Sequence, residues 1–190
     1  MTERSKWDER YNASHLINGT APSDFLASVA GYLPQCGTAF DLAGGEGRNS
    51  IFLAERGLEV VAIDISMRAL EKCLRIARER GVSVDAAAAD LTQFVIPGNS
   101  LDVIVNFNYL ERSLAAMIID GLKPGGLLVF ETLTEDHLKW KPDFNPQFLL
   151  KRGELLGVFR GLHLLKYRET DLVSPTSARS VASLLAKKDR

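Results

Sequence analysis

Three glycines within four residues, Gly44, Gly45 and Gly47, separate an apolar run from a helix-like run in FDLAGGEGRNSIFLAERG. A residue without a Cβ lets backbone come close to a ligand. A buried strand, a glycine-rich turn and a helix in that order open a parallel α/β sheet. The rest of the chain keeps this alternation.

Thr38 to Leu42 reads as the first strand and Asn49 to Arg56 as the helix after it, stopped by Gly57. Glu59 to Ile63 (EVVAI) is β-branched and strand-like. Ser66 caps a helix through Arg80, with Ala69, Leu70, Cys73, Ile76 and Ala77 on one face. Val82 to Ala89 and Leu101 to Phe107 read as the third and fourth strands. A helix over Leu114 to Leu122 stops at Lys123-Pro124-Gly125-Gly126, and Gly126 to Glu131 is the fifth strand. Thr134 to Phe148 reads as a loop of lid length. Glu154 to Phe159 is a short helix. Leu162 to Arg168 and Arg179 to Lys187 read as two strands joined by a Ser- and Pro-containing loop, Asp171 to Ser177. Strands so joined pair antiparallel. The expected architecture is α/β: a Rossmann-like three-layer sandwich, its seven-stranded sheet mostly parallel and finished by a C-terminal antiparallel hairpin. Residues 1–36 are expected to form a helical cap, 37–133 the ligand-binding core, and 134–190 the loop, short helix and hairpin of one domain.

Composition narrows the function classes. With 190 residues, 46% hydrophobic and 25% charged, the chain has the make-up of a soluble globular domain. A net charge of -1 gives no bulk attraction for nucleic acid, so no nucleic-acid partner is expected. No apolar run approaches 18 residues, and MTERSKWDERYN lacks the apolar stretch of a secretory signal. The expected compartment is the cytoplasm, with no membrane partner. Cys36 and Cys73 read as small buried residues, and the scattered histidines offer no metal site.

Three ligands could use the loop. A P-loop needs GxxxxGK[ST], and no Gly-Lys-Ser/Thr occurs. A dinucleotide site needs GxGxxG, but here the third glycine is Ser50. S-adenosylmethionine (SAM) has no pyrophosphate. Asp41 before the loop suits its amino-acid end and would repel phosphates. Asp64, ending the second strand, can accept from both ribose hydroxyls. Asp90, after the third, can accept from the adenine amino group.

These features in order resemble the class I SAM-dependent methyltransferases. DLAGGEG is similar to the family's first motif, IDIS to its second, AADL to its third, and LKPGGLLVFET to the turn and strand that follow. The agreement covers roughly residues 38 to 133. Ala43 stands where the first glycine is usual, and its Cβ is expected to keep it from positive φ. A finer resemblance is to the small tellurite-resistance-type methyltransferases, carried by Trp7-Asp8-Glu9-Arg10-Tyr11 and by NPQFLLKRGELLGVF at 145–159. It implies a small-molecule acceptor, with thiols and chalcogen oxyanions among the candidates, and S-adenosylhomocysteine (SAH) as product. It does not imply tellurite itself.

The candidate cofactor residues are Asp41, Ala43, Gly44, Gly45, Gly47, Arg48, Asp64, Ile65, Asp90, Leu91, Asn106 and Tyr11, with Glu46 beside Arg48 at the amino-acid end. Candidate acceptor residues are Tyr109, whose ring can face a sulfonium, Arg112, whose fork can hold an anion, and Trp7. Trp7 and Tyr11 lie four apart, so they either cap the cofactor or staple the N-terminal helix. His137 reads as an exposed histidine on the long loop. Asn106-Phe107-Asn108-Tyr109 lacks the prolines of enzymes that methylate amino groups of DNA or glutamine. No catalytic residue is assigned, because orientation alone can carry methyl transfer. A monomer or homodimer fits. The alternatives are a non-catalytic SAM-binding module and a nicotinamide-dependent oxidoreductase.

Overall fold

The computed structural model describes residues 2–175 and 177–189. Helices α1 (Glu3–Arg10) and α2 (Asp24–Ser28) precede strand β1 (Thr38–Leu42). Then follow α3 (Arg48–Glu55), β2 (Glu59–Asp64), α4 (Met67–Glu79), β3 (Asp85–Ala88), β4 (Leu101–Phe107), α5 (Leu114–Gly121) and β5 (Leu122–Leu133). The chain closes with α6 (Glu154–Val158), β6 (His163–Ser174) and β7 (Ser177–Lys187).

One seven-stranded sheet runs in the order β3-β2-β1-β4-β5-β7-β6. The first five strands are parallel neighbours, and β7 pairs antiparallel with both β5 and β6. The strand order reverses between β1 and β4, and such sheets bind ligands outside the strand ends at that point.

Apolar side chains fill both faces. On one, α3 and α4 contribute Ile51, Leu53, Leu70 and Cys73 against Val103, Val105 and Val129. On the other, α5 and α6 contribute Leu114, Ile118 and Leu155 against Ile104, Leu128 and Phe130. Successive residues of β4 and β5 thus point to opposite layers, as the pleat requires. Helix α4 buries Ala69, Leu70, Cys73, Ile76 and Ala77, the expected stripe, and Ser66 Oγ accepts from Ala69 N at 3.2 Å as its cap.

Several boundaries differ from expectation. β3 is only Asp85–Ala88, because an edge strand of alanines has little to pack. β5 begins at Leu122, because Leu122 pairs with Leu101 before a register shift carries Leu127 to Val103. Gly126 sits in that shift, where a Cβ would meet Leu101 O and Lys123 O at 2.9 Å. The long loop holds two 3-10 turns, Glu135–Lys139 and Pro146–Phe148. The hairpin has no seven-residue loop: the strands pair down to Ser174↔Ser177. Of the expected loop, Thr176 lies outside the described residues, as do Met1 of the expected cap and Arg190 of the C-terminal segment. Cys73 is buried, but Cys36 is exposed, in the turn before β1. Among the described residues no helix is long and apolar enough to cross a membrane.

Candidate functional site

The glycine loop leaves the end of β1 and turns into α3. Gly44 N donates to Ile63 O at 3.1 Å, tying the loop to β2. Ala43 takes φ 54, in the left-handed region, contrary to expectation. The pairing to β2 imposes that turn against the cost of its Cβ. Gly47 (φ 82) has no alternative: a Cβ there would stand 2.1 Å from Cys73 Sγ. Gly44 likewise presses on Asp41, whose Oδ2 lies 3.0 Å from where a Cβ would be.

Two buried carboxylates flank this loop. Asp41 is 1% exposed and accepts from Ser50 Oγ at 2.6 Å. Burial raises its pKa to about 7, against the pull of the Ser50 bond. Asp64 accepts from Gly45 N at 2.8 Å and from Ser66 N at 2.9 Å. Burial raises its pKa as well. The same burial and the two acids push the Cys73 thiol up to about 12. The field here is negative, hostile to a pyrophosphate and suited to a cation.

Glu46, a buried acid within the loop itself, accepts from Ile17 N at 2.7 Å and Lys72 Nζ at 2.9 Å. Lys72 also donates to Ala13 O at 2.7 Å. These bonds lash residues 13–17 over the loop. Tyr11 is buried beside them. Its hydroxyl lies 2.9 Å from the position of a Cβ on Gly45, and its ring stacks on Trp7 with centroids 6.0 Å apart. Burial, Asp64 and Glu46 raise the Tyr11 pKa. Trp7 itself is 36% exposed. Asp8 fixes α1 in place by accepting from Ser66 Oγ at 2.7 Å and Arg68 N at 3.2 Å.

On the other side of the loop, Asp90 follows β3 and accepts from Thr92 N and Oγ1, which hold its pKa low. Ile65 is half-buried and Leu91 buried. Asn106, buried at the end of β4, donates to Tyr109 O at 2.8 Å and closes the turn in which Asn108 takes φ 58. Tyr109 is half-buried, and its pKa rises to about 12 through burial, then through Glu111, Asp90 and Asp64. It therefore shares the acids' surroundings.

Two residues are placed otherwise than expected. Arg112 grips Glu154 with Nε at 2.5 Å and Nη2 at 3.1 Å, and donates to the carbonyls of Gln147 and Leu149. Its fork is spent tying residues 147–154 to the start of α5. His137 is 7% exposed, packed edge-on to Phe144 with centroids 5.4 Å apart. The 3-10 turn folds it inward. Arg48 is half-buried at the start of α3, and no hydrogen bond reaches its guanidinium from the described residues. Asp8, Ser50 and Arg179 join the site without having been singled out. Asp8 lay within the quoted N-terminal motif, Ser50 appeared as a broken fingerprint, and Arg179 carried no local signal.

A seven-stranded sheet of this order, with a glycine loop leaving its first strand, is the mixed α/β fold seen in Rossmann-like methyltransferases. Residues 39–126 match the family model described as "Methyltransferase domain", a segment running from β1 into β5. The tRNA 5-carboxymethoxyuridine methyltransferase of Escherichia coli K12 is 31% identical over 105 residues, 50% of this chain and 40% of that protein. The chain thus spans well under half of that relative's length. The structure of TehB from Haemophilus influenzae superposes with a TM-score of 0.73 at 19% identity, covering 98% of this chain and 67% of that one. Geranyl diphosphate C-methyltransferase from Streptomyces coelicolor, solved with SAH, gives 0.69 at 18% identity over 87% of this chain and 78% of its own. The resemblance read from the motifs holds at the level of fold, and the likeness includes TehB.

Proposed function

We propose that the chain binds SAM between its glycine loop and β2 and transfers the methyl group to a small-molecule acceptor. The observation that carries this is the pair Asp41 and Asp64, both buried, on either side of a loop too tight for side chains at Gly44 and Gly47. When bound, SAM supplies a methyl on cationic sulfur; the acceptor's lone pair takes the methyl carbon while the C–S electron pair returns to sulfur, leaving SAH.

The chain's residues bind and orient. Asp64 accepts from the ribose hydroxyls with the lone pairs that Gly45 N and Ser66 N leave free. Asp41 meets the ammonium group, whose charge keeps it ionised. Arg48 meets the carboxylate. Asp90 and Leu91 take the adenine edge, and Ile65 and Asn106 line the approach. Tyr11 closes the loop from outside, and Tyr109 offers a ring face to the sulfonium. Holding methyl and acceptor in line removes much of the barrier, so no general base is required. The net charge of -1 supports a small acceptor over a nucleic acid.

Calorimetric titration with SAM, and with NADH as control, tests the reading. Saturable SAM binding with a silent NADH titration is expected. A folded protein that binds neither SAM nor SAH overturns it, and tight NADH binding would favour a nicotinamide-dependent oxidoreductase.

A further inference from the structure

Among residues 2–15 only Tyr11 is buried, and α1 buries none of its own residues. Apolar packing thus gives this part of the cap a single anchor. A segment so thinly packed opens easily unless polar bonds fix it.

The stretch after Tyr11 carries those bonds to one side chain of α4. Lys72 Nζ donates to Ala13 O at 2.7 Å, to His15 O at 3.2 Å and to Glu46 Oε1 at 2.9 Å. An ammonium has three protons, and these three acceptors use them all. The other oxygen of Glu46 accepts from Ile17 N at 2.7 Å. Ala13, His15 and Ile17 are therefore stitched to one ion pair.

That pair lies inside the fold. The side chains of Lys72 and Glu46 are 15% and 2% exposed. Removing the cation alone would leave a carboxylate out of water with no counter-charge. Glu46 stands between Gly45 and Gly47, so the pair ties the cap to the very loop that the cap covers. Both its oxygens are engaged within the chain. Two residues before Ala13, the Tyr11 hydroxyl lies 2.9 Å from where a Cβ on Gly45 would be. Asp8 fastens α1 upstream, on Ser66 and Arg68. Tyr11 thus sits between two fastenings, and the one made by Lys72 reaches the glycine loop.

We propose that Lys72 is a positioning residue for cofactor binding. Through Glu46 and the carbonyls of Ala13 and His15 it holds Tyr11 over the glycine loop, and the cofactor leaves when that fastening opens. The inference rests on the methyltransferase reading and adds the control of cofactor release at the same site.

The test compares the wild type with Lys72→Met, which keeps an unbranched stem and loses the ammonium. SAH association and dissociation are followed by surface plasmon resonance, and amide exchange of the ligand-free proteins by mass spectrometry. SAH dissociation is expected to be about 10-fold or more faster in Lys72→Met. Exchange should rise over residues 12–17 while β4 stays as protected as in the wild type. Lys72→Arg keeps the charge and is expected to restore part of the slow release. Lys72→Gln keeps a donor without the charge; it replaces Lys72→Met if that variant does not fold, and its SAH release should also be faster than that of the wild type. Faster exchange spread equally over residues 12–17 and β4 would make Lys72 a residue of general stability and overturn the proposal. Wild-type SAH binding whose dissociation is unchanged in a folded neutral variant overturns this inference alone. A wild type that binds no SAH overturns the methyltransferase reading and this inference together.

Discussion

Ser50 Oγ donates to Asp41 Oδ2 at 2.6 Å, across a loop where a dinucleotide-binding fold would carry a third glycine at position 50. The serine is not a worn-down fingerprint. Its hydroxyl joins its own backbone N–H in satisfying a carboxylate that is 1% exposed among the ends of β1 and β2. Ser50→Ala keeps the backbone bond and is expected to cost about 0.5–1.5 kcal/mol, the scale of one hydrogen bond lost. Urea unfolding at neutral pH measures it, and a variant as stable as the wild type would show that the bond contributes nothing.

Asp41 also makes stability depend on pH. Its folded-state pKa of about 7 lies above the ordinary value of 3.8. Between those values the folded chain keeps a proton that the unfolded chain has released, so this residue's contribution is full below about pH 4 and falls as pH rises through 7. Relative to Asp41→Asn, the wild type should lose on the order of 4 kcal/mol across that window. Unfolding free energies of both proteins at a series of pH values give the difference directly; a difference that is flat with pH contradicts the assignment.

Ala43→Gly removes a Cβ from a residue at φ 54. The left-handed conformation costs an alanine about 1–2 kcal/mol, offset in part by glycine's greater freedom when unfolded. A net gain of roughly 0.5–1 kcal/mol is expected in the urea midpoint. An equal or lower midpoint would mean that the Cβ packs well enough to compensate.

Asp64→Asn keeps the shape of the side chain and loses the charge. SAM affinity should fall by about 1.5–3 kcal/mol, the scale of hydrogen bonds to a charged group. Far-ultraviolet circular dichroism establishes folding, since Asp64 also accepts from Gly45 N and Ser66 N. Unchanged affinity in a folded variant would move the ribose elsewhere.

Helix α1 buries none of its own residues and is held through Asp8 and the following Tyr11. An element with so few buried contacts opens easily. Asp8→Ala should speed amide exchange over residues 3–11 and accelerate SAH release, with little change in global stability. Exchange rates equal to the wild type would show that Tyr11 and the Glu46–Lys72 pair suffice to hold the cap.

Much of this site was legible because it is built from local signals. Asp41 and Asp64 end β-branched or apolar runs, Ser66 precedes a stripe of period 3.6, and the glycines lie between. Tyr11 was legible only as one half of a helical pair; its place over Gly45 depends on how α1 docks. Tyr109 and Arg112 stand three positions apart in the sequence with similar claims on the acceptor. Folding separated them, since Glu154, 42 residues away, captured Arg112.

What the sequence determined by itself was the order of strands and helices, the buried stripe of α4, and the acids flanking the glycine loop. Each depends on residues within one element or one turn, where side-chain periodicity and backbone freedom act directly. Tertiary structure alone decided the left-handed Ala43, the burial of His137 and the meeting of Arg179 with Asn108, 71 residues apart. A dihedral imposed by a neighbouring strand, or a hydrogen bond across a sheet, exists only once chain segments distant in sequence have packed together.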